Sequence, residues 1–108
     1  MTTIRMEGPG VTLINIFTVA PEDQRKLLDI LTRATRDVIR RMPGFISANF
    51  HLSLDGTRVA NYAQWKSKED LDAMLRSPDA RPHLDEALKI ARPDAGLYKV
   101  AAIESHED

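Results

Sequence analysis

In Asn61-Tyr62-Ala63-Gln64-Trp65-Lys66-Ser67, an asparagine and a tryptophan stand four residues apart on a segment that otherwise reads as a buried strand. Alternate residues of a strand share a face. Val59, Asn61, Ala63 and Trp65 therefore line one side, and Ala60, Tyr62 and Gln64 the other. An amide and an indole N–H point the same way. Leaving such a group buried and unpaired costs about 1 to 3 kcal/mol. Either the fold satisfies the two groups, with Trp65 as core filler and Asn61 bonded to nearby backbone, or a ligand does.

The elements on either side of this segment give the architecture. Upstream, Asp55-Gly56-Thr57 makes a turn of the kind that favours tight hairpins. Before it Phe45 to Leu54 reads as a strand with Ile46, Ala48, Phe50, Leu52 and Leu54 on one face, and Phe45, Ser47, Asn49, His51 and Ser53 on the other. Val11 to Val19 alternates and is rich in β-branched residues, as a strand requires. Pro21, Glu22 and Asp23 suit a helix's first turn. The apolar positions Leu27, Leu28, Leu31, Ala34, Thr35, Val38, Ile39 and Met42 then predict one long amphipathic helix ended by Pro43-Gly44.

Downstream, Ser67 followed by Asp70 resembles a capping box, opening a helix through Leu71, Met74 and Leu75 that Ser77-Pro78 breaks. Pro82 starts a further helical stretch with Leu84, Ala87, Leu88 and Ile90. Arg92 to Gly96 reads as a closing loop, Leu97 to Ile103 as the fourth strand, and Glu104 to Asp108 as a polar, frayed tail. The order β-α-β-β-α-β predicts a ferredoxin-like α+β fold with a four-stranded antiparallel sheet. Its strands are apolar on both faces, Ile14 and Ile16 opposing Leu13 and Phe17, and Ala60 and Tyr62 opposing Val59 and Ala63. Helices on one side leave the other bare, and a second copy is the simplest cover, so a homodimer is expected.

Composition narrows the function classes. The 108 residues suffice for one domain, spanning 1–108 with a core from about 11 to 103, and are too few for two. Fifteen basic and sixteen acidic residues, well mixed, give a formal charge of −1 and no field to steer nucleic acid or an anionic membrane. No apolar run approaches the roughly 18 residues of a membrane span, and Met1 to Glu7 lacks the pattern of a secretory signal. A cytoplasmic protein is expected. The absence of cysteine removes disulfides and thiolate chemistry. Three scattered histidines make no metal cluster, and no glycine-rich dinucleotide motif is present.

With the element order, Pro43-Gly44-Phe45, the run His51-Leu52-Ser53-Leu54-Asp55-Gly56-Thr57 and above all Asn61 to Ser67, the chain resembles the antibiotic biosynthesis monooxygenase family of dimeric α/β-barrel proteins. The resemblance covers about Val11 to Ile103. The nearest pattern is that of small oxygenases of aromatic polyketide pathways, which convert an anthrone or naphthacenone to a quinone with molecular oxygen and no cofactor. In those enzymes an asparagine of the first strand, one of the third and the tryptophan four residues on line the pocket, which implies catalytic roles for Asn15, Asn61 and Trp65. The resemblance further implies a small aromatic substrate. His51, Leu71, Met74 and His83 are the candidate substrate-binding residues.

The chain departs from that pattern in one respect. Some such oxygenases carry a tyrosine shortly after the tryptophan and an arginine further on, proposed to relay protons, and Leu71 and Asp85 occupy those spacings here. His83, His51 or the substrate's own phenolate are the alternatives for proton transfer. Two other readings stand beside this one. The heme-degrading branch of the superfamily fits Asn15 and nearly fits His83, but its required tryptophan is replaced by Met74. A non-catalytic dimeric module would use the same groups to hold a small aromatic.

Overall fold

Nine residues of alternating character, Val11–Val19, form β1, which becomes an inner strand of the sheet. The computed structural model describes residues 1–6 and 10–107. Asp108, the end of the expected tail, and Glu7, at the end of the segment read for a signal, lie outside the described residues. After β1 come a 3₁₀ turn at Pro21–Asp23, α1 (Gln24–Asp37), a second 3₁₀ turn at Ile39–Arg41, then β2 (Phe45–Leu52) and β3 (Arg58–Trp65). The second crossover contains α2 (Lys68–Arg76) and α3 (Arg81–Leu88), and β4 (Ala91–Tyr98) completes the chain's regular structure. The sheet order is β2-β3-β1-β4, antiparallel throughout, which is the ferredoxin-like α+β fold.

The expected single long helix is interrupted. Pro43 forces the residue before it out of the helical region, and Met42 is extended at φ −78, ψ 148. Helical geometry is already lost at Val38, and the chain descends to the strand through the short 3₁₀ turn. Leu27, Ile30, Leu31 and Ala34 form the buried stripe of α1, adding Ile30 to the expected positions. Ser67 caps α2 as read from the sequence: its Oγ accepts from the Asp70 N–H at 3.1 Å and donates to Asp70 Oδ2 at 3.0 Å.

Two further expectations are corrected. The fourth strand runs from Ala91 to Tyr98, not from Leu97 to Ile103, and residues 99–107 form no regular element. Pro93 and Gly96 read as loop formers, but β4 is an edge strand paired only with β1, and an edge tolerates proline because one row of its N–H groups needs no partner. In β2 the expected alternation slips at its start. An irregularity between Phe45 and Ser47 places Phe45 opposite Trp65 and Ser47 opposite Gln64, so Phe45 faces the core and Ile46 points out, 51% exposed.

The core lies between the sheet and the helices in two clusters. One gathers Phe17, Val19, Leu27, Ile30, Leu31, Val59 and Ala87. The other gathers Ala34, Ile39, Ala63, Trp65, Leu71, Met74 and Ala80. The opposite face of the sheet carries Ile14, Ile16, Ala60 and Tyr62 beside a polar group of Ser47, Asn49 and Gln64. Part of that face is crossed by the N-terminal segment, whose Thr2 Oγ1 donates to Asn49 Oδ1 and whose Thr3 carbonyl accepts from Gln64 Nε2, each at 2.7 Å.

Candidate active site

The two core clusters meet at a polar seam. Along β1 the core-facing order is Leu13, Asn15, Phe17, and along β3 it is Val59, Asn61, Ala63. Leu13 and Ala63 belong to one cluster, and Phe17 and Val59 to the other. Asn15 and Asn61 sit directly opposite each other across the β1–β3 ladder, so one pair of amides separates the two apolar regions. Phe50 continues this row on β2 and Ala95 on β4.

Neither amide is fully satisfied. The carbonyl oxygens Asn15 Oδ1 and Asn61 Oδ1 are both buried and have no hydrogen-bond partner. Native folds rarely leave such atoms unpaired, since each forfeits the hydrogen bonds it would make in water. Two of them side by side on the core face single this seam out as the candidate site.

Trp65 lies on the same face four residues further along β3. At the usual rise of a strand this is about 13 Å from Asn61. Between them the face is floored by Ala63, with Ala48 and Leu13 opposite it on the two neighbouring strands. Trp65 itself is 1% exposed and packed with Leu71 and Met74 of α2. Phe45 meets it edge-on, with ring centroids 5.4 Å apart and an interplanar angle of 82°.

The sequence-derived candidates are therefore divided. Asn15, Asn61, Trp65, Leu71 and Met74 all belong to the core side of the sheet. His83 is half-buried on α3, next to Leu84, which packs on the Trp65 cluster. His51 is set apart: opposite Ala60, exposed on the other face of the sheet, with Nδ1 3.1 Å from the Asn49 carbonyl. Within its own subunit it cannot line the seam, because strand alternation directs it away from Phe50 and Leu52. Phe45 and Phe50 are the neighbours that sequence reasoning missed as site residues. Strand parity alone placed Phe45 on the wrong face, and the irregularity that corrects it has no sequence signature.

A cleft of about 590 Å³ opens elsewhere, at the end of the sheet beneath the N-terminal segment, with Arg5, Gln64, Lys66 and Lys99 among its walls. It touches Trp65 but neither Asn15 nor Asn61. The unpaired amides are the stronger mark of a functional site, because an open surface groove imposes no free-energy cost on the fold. Among the described residues no group of three or more His, Asp or Glu side chains is gathered where it could hold a metal ion, and no helix is long and apolar enough to cross a membrane.

Comparison with known proteins bears on this geometry. The family described as antibiotic biosynthesis monooxygenase matches residues 10–85. The chain is 52% identical over 93 residues to tetracenomycin-F1 monooxygenase of Streptomyces glaucescens, covering 86% of this chain and 83% of the relative. Among solved structures, the ActVA-Orf6 monooxygenase of Streptomyces coelicolor, in complex with nanaomycin D, is 32% identical with a TM-score of 0.76 over 91% of this chain and 93% of that one. SnoaB, a cofactor-independent oxygenase from Streptomyces nogalater, superimposes with a TM-score of 0.78 at 23% identity, over 89% of this chain and 97% of that one. At that identity the SnoaB likeness speaks to the fold alone.

Proposed function

The chain belongs to the antibiotic biosynthesis monooxygenase family and is a monooxygenase, and on that premise we propose that it oxidises an anthrone-like polycyclic aromatic polyketide intermediate to a quinone with molecular oxygen and no cofactor. The observation that carries this reading is the pair of buried, unpartnered side-chain carbonyl oxygens of the half-buried Asn15 and Asn61, on the face that also holds Trp65. The tetracenomycin relative and the nanaomycin complex support a flat polycyclic ligand.

The electron balance explains how so few functional groups suffice. Converting the anthrone methylene to a carbonyl releases four electrons, and one dioxygen accepts four. One oxygen atom enters the product carbonyl, and the other leaves as water with the two methylene hydrogens. The substrate is thus its own reductant. The protein's task is to bind the ring, favour loss of the first proton and exclude water while oxygen adds. Asn15 and Asn61 contact the substrate's oxygens, Trp65 lies along its ring system, and Leu71 and Met74 keep the space dry. The proton goes to His83 or to a substrate phenolate.

The reading includes a single domain over residues 1–108, a homodimer formed through the outer sheet face, and action in the cytoplasm. Aerobic incubation with dithranol or emodin anthrone tests the reaction. Quinone absorbance should rise well above the spontaneous rate without flavin, nicotinamide, heme or metal. A rate equal to the protein-free control, or one that appears only on adding a cofactor, would reject the proposal.

A further inference from the structure

Gly44, at the entry to β2, is enclosed from two sides. Its carbonyl accepts from the Lys66 N–H at 2.8 Å, which carries the β2–β3 pairing one step past Phe45 and Trp65. The other side is closed by a different element. A β-carbon added at Gly44 would overlap Cβ, Cγ and Oδ2 of Asp70, so the half-buried carboxylate of α2 lies directly on the Gly44 backbone. Glycine is required there both by this close approach and by its φ of +85. Within α2, Asp70 also closes a local ring with Ser67, whose hydroxyl donates to Oδ2 at 3.0 Å and accepts from the Asp70 N–H at 3.1 Å. That cap needs only the bonds inside the helix's first turn. It does not require the carboxylate to rest against the start of a strand.

What the contact holds is clear from the residues next to it. Gly44 precedes Phe45, Lys66 follows Trp65, and Leu71 follows Asp70. Phe45 meets the Trp65 ring edge-on, and Leu71, 3% exposed, packs in the same cluster. The three segments that surround the indole are therefore tied together at one point. We propose that Asp70 is a positioning residue for Trp65: by resting on Gly44 it fixes the separation between α2 and the entry to β2, and with it the space that Phe45 and Leu71 leave for the indole. The proposal rests on the reading above, in which Trp65 lies along the substrate. A close-packed interior transmits a shift of α2 to the ring, and a misplacement of about 1 Å can cost about 10²-fold in rate.

Three variants separate this role from helix capping. Asp70→Ala empties the place on Gly44, Asp70→Asn refills it with nearly the same shape, and Ser67→Ala removes the cap's hydroxyl while leaving the aspartate. Trp65 is the chain's one tryptophan, so its emission reports the ring's surroundings in the folded protein. Asp70→Ala should move the emission maximum to longer wavelength and lower kcat for an anthrone by about tenfold or more, with KM little changed. Asp70→Asn should keep both at the parent values. Ser67→Ala should melt at a lower temperature but keep the parent emission. An unshifted emission in Asp70→Ala, a shift in Asp70→Asn as large as in Asp70→Ala, or a shift of that size in Ser67→Ala overturns the proposal. Should Asp70→Ala fail to fold, Asp70→Ser, which leaves most of the place on Gly44 empty, is read in the same way. A parent protein that oxidises no anthrone rejects the oxygenase reading alone, and the emission of the variants then decides this one.

Discussion

Phe45 stands edge-on to Trp65, and it does so only because β2 is irregular between Phe45 and Ser47. Without that slip Phe45 would face outward with Ser47 and Asn49, and Trp65 would have no aromatic neighbour on β2. An edge-to-face pair contributes about 0.5 to 1.5 kcal/mol beyond its buried area. Phe45→Leu keeps most of the volume and removes the pair. Thermal unfolding should show a loss of about 1 to 2 kcal/mol, with a shifted Trp65 emission maximum in the folded state and a lower kcat. An unshifted spectrum with full turnover would mean that Phe45 has no part in orienting the indole.

The unpaired amides predict a conflict between stability and activity. Asn and Leu are of similar size, so Asn15→Leu or Asn61→Leu fills the same space while removing a buried acceptor that costs about 1 to 3 kcal/mol. Each variant should melt no lower than the parent protein and preferably higher. Turnover should fall by about 10²-fold or more, as when a polar contact to a reacting system is deleted. The reverse outcome, a destabilised protein with normal activity, would make the asparagines structural.

Much of this arrangement is legible in the sequence. Strand alternation placed Asn61 and Trp65 on one face of β3, since parity is intrinsic to a strand and short segments hold it, whereas only the family resemblance joined Asn15 of β1 to them. Ser67 and Asp70 gave the start of α2 through a local hydrogen-bond pattern. What escaped was set by tertiary context. Phe45 depended on a one-residue irregularity, and β4 on an edge position that makes Pro93 acceptable. His51 looked like a pocket residue by type, yet its parity with Ser47 and Asn49 already placed it on the outer face. The direct opposition of Asn15 and Asn61 required the β1–β3 register, which no local pattern specifies.

Assembly provides a separate prediction. Ile16 is 38% exposed at the middle of β1, on the face away from the helices. If a second copy covers that face, light scattering on the purified protein should give about twice the 12.1 kDa chain mass at micromolar concentration. Ile16→Glu would bury a charge at the centre of the contact and should yield monomer with the sheet intact by circular dichroism. A monomeric parent protein would remove the basis for sheet-on-sheet packing.

The β2–β3 connection predicts a defined response to acid. Asp55 accepts from the Thr57 hydroxyl at 2.7 Å, the Thr57 N–H at 3.0 Å and the Ser53 hydroxyl at 2.8 Å. These bonds, those from Thr57 foremost, lower its pKa from 3.8 to about 2. The folded value lies below the unfolded one, so the carboxylate's contribution to stability is complete above pH 3.8 and is lost as the pH falls toward 2. Asp55→Ala should therefore lower the melting temperature at pH 7, and the gap between variant and parent should narrow across that acid window. Gly56, at φ +81, keeps the turn's left-handed residue in both proteins, so the comparison isolates the side chain. A gap that stays constant from pH 7 to pH 2 would show that the Asp55 carboxylate charge does not stabilise the turn.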